Sequence, residues 1–151
     1  MGKVFVAALL AASLVLPAGA EDLIGARGFV AGLYLKKTRD RNFTFSSPRV
    51  LTGELYALVQ NGAATLDYDP LCQCRSNDGL SAQIVSVTGG DRQAVAHLLL
   101  RFDADKPLPL QHVTLMLTRA PLAGWKVDDI QSARIPSLKA WLRRRQRGGG
   151  S

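Results

Sequence analysis

The sequence contains no G-x-S-x-G, no H-E-x-x-H and no phosphate-binding glycine loop, so the common nucleophile-elbow, zinc-hydrolase and nucleotide sites are missing. The two cysteines have no His or Met near them in the sequence, so no metal-ligand spacing is present. There is no internal repeat, and no low-complexity stretch beyond the terminal Gly-Gly-Gly-Ser. After Leu16 no apolar run approaches the roughly 20 residues that a bilayer span requires. What remains is 151 residues with 47% hydrophobic side chains. That is enough for one domain with a real core, and it excludes general disorder.

The first twenty residues read as a separate object. Lys3 forms a short positive region, Val4 to Leu16 is apolar, and Ala18-Gly19-Ala20 is a small-x-small cleavage site, the three parts of a secretory signal peptide in order. The apolar run stops at Pro17, too short for an anchor, and no cysteine stands at the cleavage point to carry a lipid. The expected organisation is a signal peptide over 1–20, one domain over 21–145 and a flexible tail over 146–151. The product would be a soluble periplasmic protein that meets the membrane only through its signal.

The chain carries 19 Lys plus Arg against 12 Asp plus Glu. The surplus is concentrated in Lys139, Arg143, Arg144, Arg145 and Arg147, and upstream the charges nearly balance. An arginine cluster can bind nucleic acid, anionic lipid or an envelope polymer. A solvated helix end whose cations complement the C-terminal dipole is the plainer reading, and no nucleic acid is expected as partner.

Along the chain, Asp22 is placed to cap a helix over Leu23 to Lys37, with Ala26, Phe29, Val30, Leu33 and Tyr34 on one stripe. A basic loop, Lys36 to Asn42, follows. Ser47-Pro48 predicts the start of a second helix, with Leu51, Leu55, Leu58 and Val59 as its buried face and Asn61-Gly62 as its end. The pattern then changes to strands over Ser81 to Thr88, Gln93 to Phe102, His112 to Arg119 and Trp125 to Ile130. Gly89-Gly90-Asp91 is a hairpin signal, and Asp103 to Pro109 is turn chemistry. The second strand is apolar on both faces, Ala96, Leu98, Leu100 on one and Val95, Leu99 beside His97 and Arg101 on the other, which predicts cover on both sides. Ile130 breaks the alternation after Trp125 and Val127, predicting a bulge at Asp128-Asp129. Ile135 to Arg145 is a last short helix. The expected fold class is α+β: two N-terminal helices on a curved antiparallel sheet of about four strands, closed by a C-terminal helix.

Cys72-Gln73-Cys74 is the most distinctive local feature. A local disulfide, a soft-metal ligand pair and a redox dithiol all use such a pair; the first suits an oxidising compartment, and no His or Met stands nearby for the second. Asp67, Asp69, Asn77 and Asp78 flank it, but calcium-loop spacing is absent, and Asx-turn chemistry accounts for Asp69-Pro70 and Asn77-Asp78-Gly79. His97 and His112 could serve as acid or base on a strand face, or be satisfied surface residues. Asn42-Phe43-Thr44 matches a glycosylation acceptor, relevant only on a eukaryotic secretory route.

Three segments carry a family resemblance: Gly28-Phe29-Val30-Ala31-Gly32-Leu33-Tyr34, Leu66-Asp67-Tyr68-Asp69-Pro70-Leu71 and Gly124-Trp125-Lys126-Val127-Asp128-Asp129-Ile130. With them the chain, from about Leu23 to Leu142, resembles a family of small exported bacterial domains, the YbjP/YqhG-like group, itself similar to the nuclear transport factor 2-like superfamily. Where that family carries Gln-Asp after Asp-Pro, this chain offers Gln73 or Asn77-Asp78. The resemblance implies a cone of helices and bent sheet, a periplasmic location and a non-catalytic role, with Asp67, Asp69, Pro70, Asp78, Trp125, Asp128 and Asp129 as the motif positions.

The expected function is thus a binding or accessory module of the cell envelope, in one form an inhibitor or immunity-type protein. Its ligand would be a small molecule or an envelope protein, held between helices and sheet by a pocket including His97, Arg101, His112 and Trp125. No cofactor, metal or catalytic residue is expected. The alternative is a small enzyme using His97 or His112 with Asp128 or Asp129.

Overall fold

The computed structural model describes residues 18–40, 43–62, 66–102 and 110–148. The expected charged and apolar regions of the signal, Asn42 of the acceptor tripeptide, the turn over 103–109 and the end of the tail lie outside them. The element order is α1 (Ala18–Arg39), α2 (Gly53–Gly62), β1 (Ser81–Gly89), β2 (Gln93–Arg101), β3 (Gln111–Ala120), β4 (Gly124–Ser132) and α3 (Leu138–Gly148). The fold is α+β, with three helices among the described residues and an open antiparallel sheet in the order β1-β2-β3-β4.

Each helix departs from expectation at an end, for a local reason. α1 begins at Ala18 and runs to Arg39, so Asp22 lies inside it rather than capping it, and Lys36 to Arg39 are helical rather than loop. Ser47-Pro48 starts only one turn, in which Ser47 Oγ accepts from Arg49 N at 3.2 Å. The turn stops because Leu51 bridges in parallel to Val127. α2 then restarts at Gly53 with Thr52 as its cap, the Thr52 hydroxyl accepting from Leu55 N at 3.4 Å. The expected buried face survives this change: Leu51, Leu55, Leu58 and Val59 are all buried. α3 starts three residues late, at Leu138, and continues to Gly148.

The strands hold the core. Ala94, Ala96, Leu98 and Leu100 of β2 and Val113, Leu115 and Leu117 of β3 are no more than 2% exposed, and with Trp125, Val127 and Ile130 of β4 they form one sheet face. α1 lies across it from β4, where Gly25 leaves room for the Trp125 ring, to β1, while α2 and α3 pack on each other and against β4. The bulge expected at the paired aspartates is present: Met116 pairs with Asp129 and Leu117 with Val127, leaving Asp128 extra. A second bulge, at Val85 between Ile84 and Ser86, was not signalled. In the β1–β2 hairpin Gly89 has φ +133, and a Cβ there would stand 2.3 Å from Gln93 O, so the turn requires glycine.

Candidate functional site

The Asp-Pro-x-Cys-x-Cys segment is a compact loop pinned to the end of α1. Asp69 organises it: one carboxylate oxygen accepts from Leu71 N at 2.8 Å, the other pairs with Lys37 Nζ at 2.5 Å, and its main chain bridges to Cys74. Among the described residues Lys37 is the one charged side chain that is buried, which is tolerable because it is paired with Asp69. The same stretch of helix supplies Tyr34, whose hydroxyl donates to Leu71 O at 2.6 Å, and Lys37 O, which accepts from the Asn77 side chain. Burial pushes the Tyr34 hydroxyl far above its ordinary value, and the charge of Asp69 adds to this, so Tyr34 is a fixed donor rather than an acid–base group.

The Cys72 and Cys74 sulfurs meet within this loop, with Cα atoms 5.1 Å apart, inside the range a disulfide spans. Cys72 is fully buried. Between the two cysteines Gln73 has φ +54, a left-handed conformation uncommon for a residue with a side chain. Its amide nitrogen donates to Pro70 O at 2.6 Å, while its buried carbonyl oxygen has no partner. Asp67 is drawn away from the loop to Arg75, 2.6 Å distant, whose hydrogen bond holds its carboxyl below the ordinary range. Asp78 is exposed at the surface. The motif aspartates therefore do different work and do not converge on one ligand position; among the described residues no group of three or more His, Cys, Asp or Glu could hold a metal ion.

Asp128 and Asp129, the carboxylates considered as acid–base partners, are committed to structure. Asp129 accepts from Lys139 N at 2.9 Å and from Ser137 Oγ at 2.6 Å, and Ser137 in turn caps Ala140 N. Together they satisfy the open N–H groups at the start of α3. Asp128 accepts from the Thr52 hydroxyl at 3.0 Å and pairs with Lys139 Nζ at 2.7 Å, tying the bulge to the starts of α2 and α3. Lys139 also reaches Glu54 at 3.2 Å, and Arg143 joins the same carboxylate. The Arg143 hydrogen bond, then that of Lys139, holds Glu54 below its ordinary value.

The four expected pocket residues do not share a pocket. Trp125 is buried on the helix-covered face. His97, Arg101 and His112 are exposed on the opposite face, which no helix of the described residues covers. The expectation of cover on both sides of β2 is corrected: all three helices fall on the Ala94–Leu100 side, and the space between them and the sheet is filled by Leu98, Leu100, Leu115, Leu55 and Leu138. The register does bring both histidines together. His97 pairs with Thr114 and Leu99 with His112, so the two imidazoles are diagonal neighbours on adjoining strands, and His97 Nδ1 lies 3.0 Å from Thr114 Oγ1. Leu99 is half-buried beside both, while Val95 and Met116, which pair with each other, are half-buried on the far side of His97. At the hairpin end this face runs into a groove of about 780 Å³ lined by Thr88, Val95, Met116 and Thr118.

Sequence reasoning missed Lys37, Thr52 and Ser137. Lys37 carried a signal, since it continues the stripe of Ala26, Val30, Leu33 and Tyr34 at helical spacing, where a charge implies a buried partner. Comparison with family models, with curated proteins and with solved structures gives no match.

Proposed function

We propose that the protein is an exported, non-catalytic binding module of the cell envelope whose working surface is the uncovered face of the sheet. The observation that carries this reading is the placement of His97, His112 and Arg101 about Leu99, with Val95 and Met116 beyond His97, on a face that no helix of the described residues covers. Apolar side chains interleaved with imidazoles and a cation suit an anionic or amphipathic ligand, or the matching patch of an envelope protein that the module inhibits or protects. The commitment of Asp128 and Asp129 to helix caps and ion pairs removes the carboxylates that a His-based acid–base site would draw on. A cone of the nuclear transport factor 2-like kind belongs to the same reading; bulges in β1 and β4, which bend strands, are compatible with it. So is oxidation of Cys72 and Cys74 in an oxidising compartment.

The test has two parts. N-terminal sequencing of the protein from a periplasmic extract should begin Glu21-Asp22-Leu23, and a retained Met1 refutes export with cleavage. Partners that co-purify with the mature chain are identified by mass spectrometry, and binding is remeasured with His97→Ala and Arg101→Ala. Loss of binding with an unchanged melting curve supports the reading. A turnover found by screening and abolished by His97→Ala replaces it with an enzyme. If neither change matters while removal of Arg143 to Arg147 does, the basic end is the working surface.

A further inference from the structure

The two edges of the sheet are finished differently. Along β4, Val127 N donates to Val50 O at 2.8 Å and Thr52 N to Val127 O at 2.9 Å, so the chain before α2 covers part of that edge, and the strand carries Lys126, Asp128 and Asp129. The opposite edge, β1, has neither a charged residue nor a proline over Ser81–Gly89, the devices that usually blunt an exposed edge. Among the described residues, the one hydrogen bond that its main chain receives from outside the β1–β2 ladder comes from Arg27, whose guanidinium lies 3.4 Å from Ile84 O.

Beside the first half of this edge runs a groove of about 650 Å³ between β1 and α1. Its helical wall is Ala31 and Leu35, one turn apart, and Leu35 is 49% exposed. Tyr34, fixed by its bond to Leu71 O, also lines it, Arg27 stands at one end, and the strand wall is Ser81 to Ile84. Four strand residues span about 13 Å and the helix from Arg27 to Thr38 about 17 Å, so the helical wall flanks the whole length of the strand wall. The bulge at Val85 ends the regular edge where Arg27 sits.

We propose that this groove, distinct from the uncovered sheet face, takes an extended acidic peptide segment of a partner protein as an added strand beside β1. Unpaired main-chain groups supply the affinity of such strand addition, and alternate side chains supply its specificity. Inward side chains of the peptide would be apolar, to meet Ala31 and Leu35, and a carboxylate would face Arg27, which has no acidic partner among the described residues. Charge argues for this occupant over a second copy, since a second β1 edge has no carboxylate over Ser81–Gly89 to meet Arg27, whereas an acidic segment is attracted.

The probe is an acetylated hexapeptide alternating Val and Glu, compared with its Val–Lys counterpart and with a version N-methylated on alternate amides, each titrated into the full chain by calorimetry and amide exchange. The Val–Glu peptide should slow exchange at Ser81 to Ile84, and N-methylation should weaken binding at least tenfold. Arg27→Glu should weaken the Val–Glu peptide at least tenfold and reverse the preference toward Val–Lys. Ala31→Trp, which fills the groove from an exposed helix position, should abolish binding without lowering the melting temperature. The proposal falls if no peptide binds at millimolar concentration, if both charge types bind equally, if protection appears at His97 and Leu99 instead, or if the β1 amides become protected with rising protein concentration alone, which would mark self-pairing.

Discussion

β2 offers nearly the same apolar content to both faces of the sheet, and the two faces have opposite fates. Ala94, Ala96, Leu98 and Leu100 are sealed beneath the helices, while Val95 and Leu99, equally hydrophobic, are only half-buried on either side of His97. Among the described residues three helices cover the sheet, and all three lie on one side, where α1 spans β1 to β4 and α2 and α3 fill the β4 end. An apolar residue on a strand therefore signals a candidate for burial, and the number of covering elements decides which candidates are buried.

The contrast can be broken hardest from the covered side. Leu115→Ala, at a fully buried position, should cost about 3–4 kcal/mol in urea unfolding, whereas Leu99→Ala on the other face should cost about 1 kcal/mol or less. Comparable losses would mean that something covers the second face in solution. Next in size is the Lys37–Asp69 pair. Lys37→Met alone leaves Asp69 without its counter-ion and should cost about 3 kcal/mol. The double change with Asp69→Asn should recover part of that, giving a coupling energy of at least about 1 kcal/mol in a double-mutant cycle.

Asp129→Ala should cost about 1–2 kcal/mol through the lost cap of α3, read as faster amide exchange in the first turn of that helix. If stability holds while a measured turnover disappears, Asp129 is a reacting group after all. The Cys72 and Cys74 pair should contribute less. Replacing both by Ala should cost on the order of 1 kcal/mol, because the ring closes almost no chain; intact mass should show two added alkyl groups only after reduction.

The smallest effect is a titration. Glu54 is held low by Arg143 and Lys139, so its ion pairs contribute above the ordinary carboxyl value of 4.5 and are lost as pH falls through the lowered folded value. By NMR its midpoint should lie below 4.5 and return toward it in Arg143→Ala. Because the pair is solvent-exposed, added salt should shrink the shift.

Much of the architecture was legible in the chain because periodicity reports which side chains meet the core. The four strands, the buried face of α2 and the bulge at Asp128-Asp129 all follow from positions where alternation holds or fails. The bulge at Val85 gave no such sign, since Ile84, Val85 and Val87 are apolar on either register. The break before α2 was hidden for a different reason: Ser47-Pro48 is a sound helix start, and only the pairing of Leu51 with Val127 stops it.

By itself, then, the sequence determined the α+β class, the order of its elements and the residues able to form a core, because these depend on local propensity and on spacing along one element. Tertiary structure alone decided which sheet face is covered, that His97 and His112 are neighbours, that Lys37 meets Asp69 and that Asp129 caps α3. Each of these joins residues distant in the chain or on different strands, and their meeting is set by register and by which element packs where. No local pattern encodes either.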